Sequence, residues 1–419
     1  MISNKFGFSN NKEIYTLIFI FLISFLIRIP TLIIYGDNSL DYEWKILVEN
    51  LIEYKKLGWK NCEFAYFHTK ICLPNNFLLP NLWMPPLYIY YLYFFTFFQL
   101  SEQSYIILIL LTQIILSSIS VIFFYKINKF FFSSKLSIFS SMLFSFFPLY
   151  LYGSSQISSI TLQVFLLILF FYFFFKLVEK KNFLSIFLFS FLGGLLILLR
   201  GEFYAILILT IFYLFYLKIN IKKILLIILI STFTVSPYLI RNMLVFEKFT
   251  MMKSFGYNIW KGNHPYAMNN SLIAGAEIVE EDFRVILDNV PRDKFLRFNF
   301  DKIFFKKAIE NIKEEPKEHF IFFLKKFISY ILIDFNSKDP NYYNPLHYIP
   351  VLFIGVLSLI GMILSNKKSH NLNYLILVFF AYTFIFSTVS ILPRYKLIIL
   401  PIQIIFTNVL IRKFLHRYE

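Results

Sequence analysis

The carboxylates that follow the first apolar run are the residues best suited to chemistry in this sequence. Asp37, Asp41 and Glu43 separate that run from a polar stretch that also carries Glu49 and Glu53. A carboxylate at the mouth of an apolar helical bundle can have its pKa tuned towards the value that a general base needs. We therefore take Asp41, and with it Asp37 and Glu43, as candidate catalytic residues. Glu49 and Glu53 fit the solvated face of a surface helix.

Three arginines form a second candidate set, because each stands at the end of an apolar run in a short motif. Arg200 lies in LLRGEF, Arg241 in PYLIRN and Arg394 in LPRYKL. Long cations that reach the membrane interface from helix ends are one explanation. Convergence on a single anion is another, since guanidinium groups suit phosphate oxygens. The side chains that we group with the arginines as candidate substrate-binding residues are Glu202, Asn242, Asn263, His264 and Tyr395.

Metal-binding signals in the sequence are weak. His264 and His68 are single histidines without a partner at metal-ligand spacing, which argues against a zinc site. Asp37 and Asp41 could bind Mg²⁺ or Mn²⁺ through oxygen, although nothing in their spacing demands it. The P-loop, GxGxxG, HExxH and GxSxG patterns of soluble enzymes do not occur. The sequence thus specifies no certain cofactor and leaves a divalent cation open.

The composition places these residues in a membrane protein. Hydrophobic residues make up 58% of the 419 positions, and charged residues only 16%, against roughly 25% in soluble proteins. Several continuous apolar runs approach the roughly 20 residues that a helix needs to cross a bilayer. In lipid, only helices and closed barrels satisfy the backbone. We therefore predict an all-α, polytopic transmembrane helical bundle.

The net charge of +16 has an explanation that does not involve nucleic acid. The lysines cluster in the short loops KINKF, VEKKN and LKINIKK between apolar runs, which is the pattern of cytoplasmic loops in membrane proteins. No basic stripe lies on a soluble domain, so a nucleic-acid partner is not expected.

The apolar runs predict about ten crossings of the membrane. With the basic loops in the cytoplasm, the acidic loop and the turns at 148–156, 200–202, 237–242 and 392–396 all fall on the external side. Two apolar segments do not fit as spans. Residues 86–100 are too short to cross and are predicted to be re-entrant or interfacial. Residues 318–335 carry Lys325 and Lys326 in mid-run and are predicted to be interfacial. The spans are predicted at 14–34, 104–125, 135–152, 157–178, 183–199, 202–217, 222–240, 347–364, 372–391 and 396–412.

The order of these segments predicts three regions. They are a catalytic membrane module at 1–240 with the loop 36–85, an external region with an interfacial helix at 241–335, and a closing set of spans at 336–419. Cys62 and Cys72 in the first loop could form a disulfide in an oxidising compartment or remain free thiols. The first run lacks a small-residue cleavage site, so we expect an uncleaved span.

The motifs, taken in order, resemble a known family. RIP, the acidic motif at Asp41, MPPLY, LLRGE, SPYLIRN, GYNIWKGNHPYA and PRYKLIILP are similar to motifs of the polytopic GT-C glycosyltransferases. The resemblance is to the bacterial branch that includes protein mannosyltransferase-like and lipid A aminoarabinose transferase-like enzymes. One departure is that Tyr42 separates Asp41 from Glu43, whereas the family often has adjacent acidic residues.

The resemblance implies a sugar carried on a polyprenyl phosphate and transferred on the external face of a bacterial inner membrane to a lipid, glycan or protein acceptor. It implies that Asp41 acts as general base on the acceptor hydroxyl and that Arg200, Arg241 and Arg394 hold the lipid phosphate. The alternatives are a transporter or flippase of a lipid-linked saccharide and a polysaccharide polymerase or ligase. The absence of an internal repeat disfavours many transporter folds.

Overall fold

The computed structural model describes residues 11–59, 78–275, 290–291, 293–335, 344–365 and 369–415. The described chain is almost entirely helical, as its composition predicts. Its antiparallel strand pair, β1 (Gly58–Trp59) with β2 (Leu79–Pro80), brings together the two ends of the first long loop. Cys62, Cys72 and His68 lie outside the described residues, so the predicted disulfide stays a prediction.

The helices follow one another with short connections. In chain order they are α1 Asn11–Tyr35, α2 Tyr42–Tyr54, α3 Pro86–Thr96, α4 Glu102–Asn128, α5 Ser134–Phe146, α6 Pro148–Ser155, α7 Ser159–Lys180, α8 Phe183–Leu199, α9 Phe203–Tyr216, α10 Ile221–Phe246, α11 Phe255–Gly262, α12 Pro265–Asn269, α13 Leu296–Glu314, α14 Pro316–Ile331, α15 Pro345–Ile363, α16 His370–Thr388 and α17 Lys396–Leu415, the last preceded by a 3₁₀ turn at Pro393–Tyr395.

Seven described helices are long and apolar enough to cross a membrane, namely α1, α4, α7, α10, α15, α16 and the helical segment Pro393–Leu415. The pair α5–α6 is bent by 50° and would make an eighth span. Proline lacks a backbone N–H, and Pro148 directly follows this break. The shorter apolar helices α8 and α9 occupy the two remaining predicted positions. The predicted count of about ten is thus approximate.

The two short helices near the acidic loop agree with the sequence pattern. In α2, Leu47, Val48 and Leu51 are buried, whereas Glu49 and Glu53 are exposed. Ile52, on the same helix, is 45% exposed. Helix α3 has 11 residues, which at about 1.5 Å per residue is too short to cross a bilayer. It packs against α2, α4 and α8.

Hydrogen bonds separate the loops into two ends of the bundle. At one end, Lys223 Nζ donates to Lys181 O at 2.8 Å and joins two basic loops. At the other, Gln156 Nε2 donates to Tyr35 O at 2.6 Å and joins the acidic loop to the turn after α6. The loops that positive-inside counting places on opposite sides therefore lie at opposite ends of the structure.

Helix α14 differs from its prediction as a purely interfacial helix. Lys325 is exposed, but Lys326 has 0% of its surface exposed. Its Nζ donates to Gly262 O and Val389 O, both at 2.9 Å. A buried ammonium requires such partners, because burying a charge without them is costly. The lysine is therefore satisfied inside the protein.

The carboxyl end of α14 is capped by α17. Lys396 Nζ donates to Ser329 O at 2.6 Å and to Leu332 O, and Gln403 Nε2 donates to Ile331 O at 2.9 Å. The last carbonyls of a helix lack partners within the helix, so a buried helix end needs side-chain donors. These contacts also fix the 3₁₀ turn Pro393–Tyr395 (the PRY turn), because Lys396 directly follows it. The three predicted regions stay a prediction, although α17 packs on α5 and α7 of the first region.

We predict that Lys396→Met lowers the free energy of unfolding by about 3 kcal/mol, because it leaves buried carbonyls without a donor while keeping the apolar stem. Thermal unfolding of the purified protein in detergent measures the change. Lys413→Met is the matched control, since Lys413 is exposed at the end of the same helix. Equal melting temperatures for the two variants would contradict the capping role.

Candidate functional site

The acidic loop is held against the turn between α6 and α7. Asp37 N donates to Ser155 O at 3.2 Å, and Asp37 Oδ2 accepts from Ile157 N at 2.6 Å. Burial raises the pKa of Asp37, and the hydrogen bond from Ile157 opposes this shift. One of the three candidate carboxylates thus anchors the loop.

A chain of hydrogen bonds supports this anchor from behind. Tyr88 OH donates to Gln113 Oε1 at 2.9 Å, and Gln113 Nε2 donates to Gln156 O at 2.8 Å. Gln156 in turn donates to Tyr35 O. These hydrogen bonds link α3, α4 and the α6–α7 turn to the end of α1, so a polar network that runs from the interior to the surface sets the position of the loop.

Asp41 stands at the amino end of α2, where the chain enters the helix. Its side chain makes no capping hydrogen bond to α2, and the residue is exposed. The amino end of a helix favours a negative charge. The Asp41 side chain is therefore exposed at the mouth of the bundle.

Glu43 lies in the first turn of α2, half-buried, and its Oε1 has no hydrogen-bond partner among the described residues. Burial raises the pKa of Glu43 to about 7; the charges of Arg297 and Arg394 oppose the shift, and Asp41 adds to it. Glu43 is thus the point at which the acidic loop meets two cations.

Arg297 is a site residue that the sequence analysis missed. It belongs to the first turn of α13, is buried, and has its guanidinium 4.6 Å from the centre of the Trp83 ring. A cation over an aromatic face is stabilised by the ring quadrupole. The sequence gives little indication of this role, because LRFNF is one of many stretches that mix aromatic and basic residues. The proximity of Arg297 to Glu43 depends on how α13 packs.

Two of the three candidate arginines share one aromatic ring. Arg200 and Arg394 have their guanidinium carbons 5.9 Å and 5.7 Å from the centre of the Tyr395 ring. Arg394 is exposed, and Arg200 Nε is buried without a hydrogen-bond partner within the described chain. The structure thus brings Arg394, which lies within electrostatic range of Glu43, beside the ring that Arg200 contacts.

The third arginine points elsewhere. Arg241 Nη1 donates to Asn81 O at 3.1 Å and Nη2 to Leu57 O at 2.8 Å, so it binds the chain on either side of the strand pair. Its neighbour Asn242 accepts from Arg241 Nη1 at 2.7 Å and donates to Thr250 O at 2.6 Å. These contacts tie the end of α10 to the base of the first loop.

The Gly262–Asn263 pair of the GYNIWKGNHPYA motif brings α11 against the end of α16. Asn263 Nδ2 donates to Thr388 O at 2.9 Å, and a Cβ on Gly262 would lie 2.2 Å from Val389 O, so only glycine fits there. His264 Nδ1 accepts from Tyr266 N at 3.2 Å and caps α12. The motif therefore positions the chain that leads into the PRY turn.

No group of three or more His, Cys, Asp or Glu side chains arranged to hold a metal ion occurs in the part of the chain that the structure describes. Asp37 uses one carboxylate oxygen to bind Ile157 N. The divalent cation considered from the sequence stays a prediction, and the chemistry proposed for this site uses the side chains of the chain itself.

Glu43→Gln should raise the melting temperature at about pH 8 and leave it unchanged at about pH 4. The folded-state pKa of Glu43, about 7, lies above the ordinary value of 4.5, so the folded protein holds this proton more tightly than the unfolded chain. The stabilising contribution of the protonated Glu43 side chain is complete below about pH 4.5 and is lost as the pH rises to about 7. The glutamine amide is neutral at every pH, so the variant does not lose this stability.

Tryptophan fluorescence during heating, repeated across this pH range, measures the effect. Glu49→Gln on the exposed face of the same helix is the control and should show no pH-dependent gain. If Glu43→Gln shows none either, Glu43 does not experience the buried environment described here.

Comparisons with known proteins agree with this architecture. A family model described as dolichyl-phosphate-mannose-protein mannosyltransferase matches residues 84–240. A comparison with curated protein sequences finds no match. An Archaeoglobus fulgidus oligosaccharyltransferase, solved with an inhibitory peptide and a dolichol-phosphate, is similar over 98% of this chain and 52% of that chain, with a TM-score of 0.58 and 13% identity.

A second structure of an Archaeoglobus fulgidus oligosaccharyltransferase, tethered to an acceptor peptide, is similar over 96% of this chain and 50% of that chain, with a TM-score of 0.57 and 14% identity. The chain thus spans about half the length of these proteins, with which it shares a fold. The family match over residues 84–240 and the shared fold agree with the resemblance that the motifs indicated.

Proposed function

We propose that the protein transfers a sugar from a polyprenyl-phosphate carrier to an acceptor on the external face of a bacterial inner membrane. The observation that carries the proposal is the meeting of the acidic loop with cations at one end of the bundle. Glu43 lies within electrostatic range of Asp41, Arg297 and Arg394. A reaction that needs a base on one side and a phosphate-binding group on the other requires this arrangement.

Asp41 is the proposed general base. It is exposed at the mouth of the site and does not cap its own helix, so its carboxylate can accept the proton of an acceptor hydroxyl. The acceptor oxygen then forms a bond to the anomeric carbon as the bond from that carbon to the phosphate oxygen breaks. The prenyl phosphate leaves with the electron pair, and the configuration at the anomeric carbon inverts.

Arg394 and Arg200 are the proposed partners of the leaving phosphate. Both lie against Tyr395, and guanidinium groups form strong, directional hydrogen bonds to phosphate oxygens. Stabilisation of the charge that develops on the leaving group is commonly the largest contribution to such catalysis. Arg241, which the resemblance assigned to the same task, is proposed to hold the first loop in place through Leu57 O and Asn81 O.

The comparisons support the lipid carrier and the membrane. The family description names dolichyl-phosphate mannose, and one structure with the same fold contains a dolichol-phosphate. The basic loops lie at the end opposite the acidic loop. Basic loops mark the cytoplasmic side of a membrane protein, which supports an external location for the site. The acceptor is a lipid, a glycan or a protein.

We expect Asp41→Asn to lower the rate of sugar transfer by about 10²- to 10⁴-fold, the usual contribution of a general base. The assay supplies labelled polyprenyl-phosphate sugars in proteoliposomes and measures free polyprenyl phosphate and labelled acceptor. Glu49→Gln, on the exposed face of α2, is the control and should retain activity. Full activity of a correctly inserted Asp41→Asn variant would exclude Asp41 as the base.

The same assay separates an enzyme from a flippase. A flippase moves the labelled lipid between leaflets without breaking the sugar–phosphate bond, so it would release no polyprenyl phosphate. A polymerase or ligase would give products that grow in length or join preassembled glycans. Translocation of intact donor without cleavage by the wild-type protein would overturn the proposed transferase.

Arg394→Gln should raise the KM for the donor about tenfold or more, since a hydrogen bond to a charged group contributes about 1.5–3 kcal/mol. Steady-state kinetics with varied donor concentration measures this change. Arg412→Gln is the control, because Arg412 lies at the opposite end and donates to Phe131 O. A donor KM that is unchanged in Arg394→Gln would remove Arg394 from the phosphate site.

A further inference from the structure

A second polar cluster includes Arg200 and adds a carboxylate and three tyrosines that base and phosphate chemistry do not explain. It consists of Arg200, Glu202, Tyr330, Tyr382 and Tyr395, and we call it the tyrosine cluster. Its members come from the α8–α9 turn, α14, α16 and the PRY turn. Tyr330 OH donates to Tyr395 O at 3.0 Å, so the end of α14 is bound to the PRY turn within the cluster.

Glu202 contributes a carboxylate to the tyrosine cluster. It lies within electrostatic range of the hydroxyls of both Tyr330 and Tyr382, and Arg200 also lies within range of Tyr382. Glu202 is half-buried at the amino end of α9. The cluster therefore combines a carboxylate acceptor, a guanidinium donor and a hydroxyl that can do either.

Two polar atoms in the tyrosine cluster are buried without a hydrogen-bond partner among the described residues. They are Tyr382 OH and Arg200 Nε, and Tyr382 has 0% of its surface exposed. A buried hydroxyl without a partner weakens a fold, and most buried polar atoms in proteins are paired. Phenylalanine at position 382 would fill the same space without this cost, so packing does not account for the tyrosine.

The carboxylate, guanidinium and hydroxyl groups of the tyrosine cluster favour a sugar over a phosphate as the ligand. A phosphate would be repelled by Glu202, whereas a sugar hydroxyl can donate to this carboxylate and accept from a tyrosine or an arginine. Aromatic rings adjoin the polar groups: Phe386 stacks with Tyr395 at 4.6 Å and with Tyr330 at 5.3 Å between ring centres. Polar groups set among apolar and aromatic side chains are typical of sites that fix a small ligand in one orientation.

We propose that the tyrosine cluster binds hydroxyl groups of the donor sugar, with Glu202 and Tyr382 as specificity-determining residues. The proposal rests on the proposed glycosyltransferase function and names the part of the site that selects the sugar. Arg200, which contacts the Tyr395 ring that Arg394 also contacts, connects the sugar subsite to the phosphate subsite. The base Asp41 approaches from the acidic loop.

The first experiment compares Tyr382→Phe with Tyr374→Phe. Tyr374 lies on the same helix and is equally buried, but its hydroxyl is hydrogen-bonded to Thr210 at 2.8 Å. Tyr382→Phe should keep or raise the melting temperature and raise the donor KM about tenfold, the loss of one hydrogen bond. Tyr374→Phe should lower the melting temperature and leave the donor KM unchanged.

The second experiment identifies the hydroxyl. Dolichyl-phosphate mannose and its monodeoxy analogues are tested, or the same series for whichever sugar the wild-type protein transfers. For the wild type, one monodeoxy donor should be a poorer substrate than the donor that has all its hydroxyls. For Tyr382→Phe, the same two donors should be equally good, because the variant has already lost the hydrogen bond to that hydroxyl. Glu202→Gln should show the same loss of discrimination against one monodeoxy donor.

The outcomes separate this inference from the function on which it rests. If the wild type transfers no sugar from any polyprenyl phosphate, the proposed function fails. If the wild type is active and both Tyr382→Phe and Glu202→Gln retain its donor KM and its discrimination against every monodeoxy donor, the sugar subsite alone is overturned. A rise in melting temperature for Tyr382→Phe with unchanged donor kinetics would likewise overturn the role of Tyr382.

Discussion

The buried ammonium of Lys326 is the interaction on which the geometry of the site most depends. It donates to Gly262 O, Asn263 Oδ1 and Val389 O, so one cation binds the carboxyl ends of α11 and α16 together. The chain leaves α16 directly into the turn that carries Arg394 and Tyr395. Helix ends expose carbonyls that need donors, and meeting that need for two helices at once fixes where the turn begins.

Elsewhere in the bundle, too, buried cations and backbone carbonyls satisfy one another. Lys396 caps α14 from the far side of the PRY turn. Arg28, with 0% of its surface exposed, donates to Ser24 O, Ser24 Oγ and Ser117 Oγ. In a protein surrounded by lipid, buried charges and free carbonyls must be satisfied by other parts of the chain. Arg28 thus joins the middle of α1 to the middle of α4, whereas Lys326 and Lys396 determine which helix ends meet, and the candidate site is built at such a meeting point.

Within the site, the acidic residues differ in their surroundings although they are close in sequence. Asp37 anchors the loop through Ile157, Asp41 remains exposed, and Glu43 is half-buried within electrostatic range of Arg297 and Arg394. Burial and neighbouring charges, which set carboxylate behaviour, thus assign different tasks to similar side chains. The tyrosine cluster follows the same logic, since Tyr382 and Tyr374 share a helix but only Tyr374 has a hydroxyl partner within the described chain.

The sequence by itself determined the helical membrane fold, the short α3, the amphipathic α2 and the separation of basic from acidic loops, because these depend on local hydropathy and charge. Motif order also made Asp41, Arg200 and Arg394 candidate site residues. Only the tertiary structure showed that Arg241 binds backbone carbonyls, that Lys326 is buried, that Arg297 lies near Glu43, and that Tyr382 is buried without a hydroxyl partner within the described chain. Apolar composition cannot distinguish a lipid-facing helix surface from a protein-facing one. The partners of a buried polar group are therefore decided only when helices distant in sequence pack together.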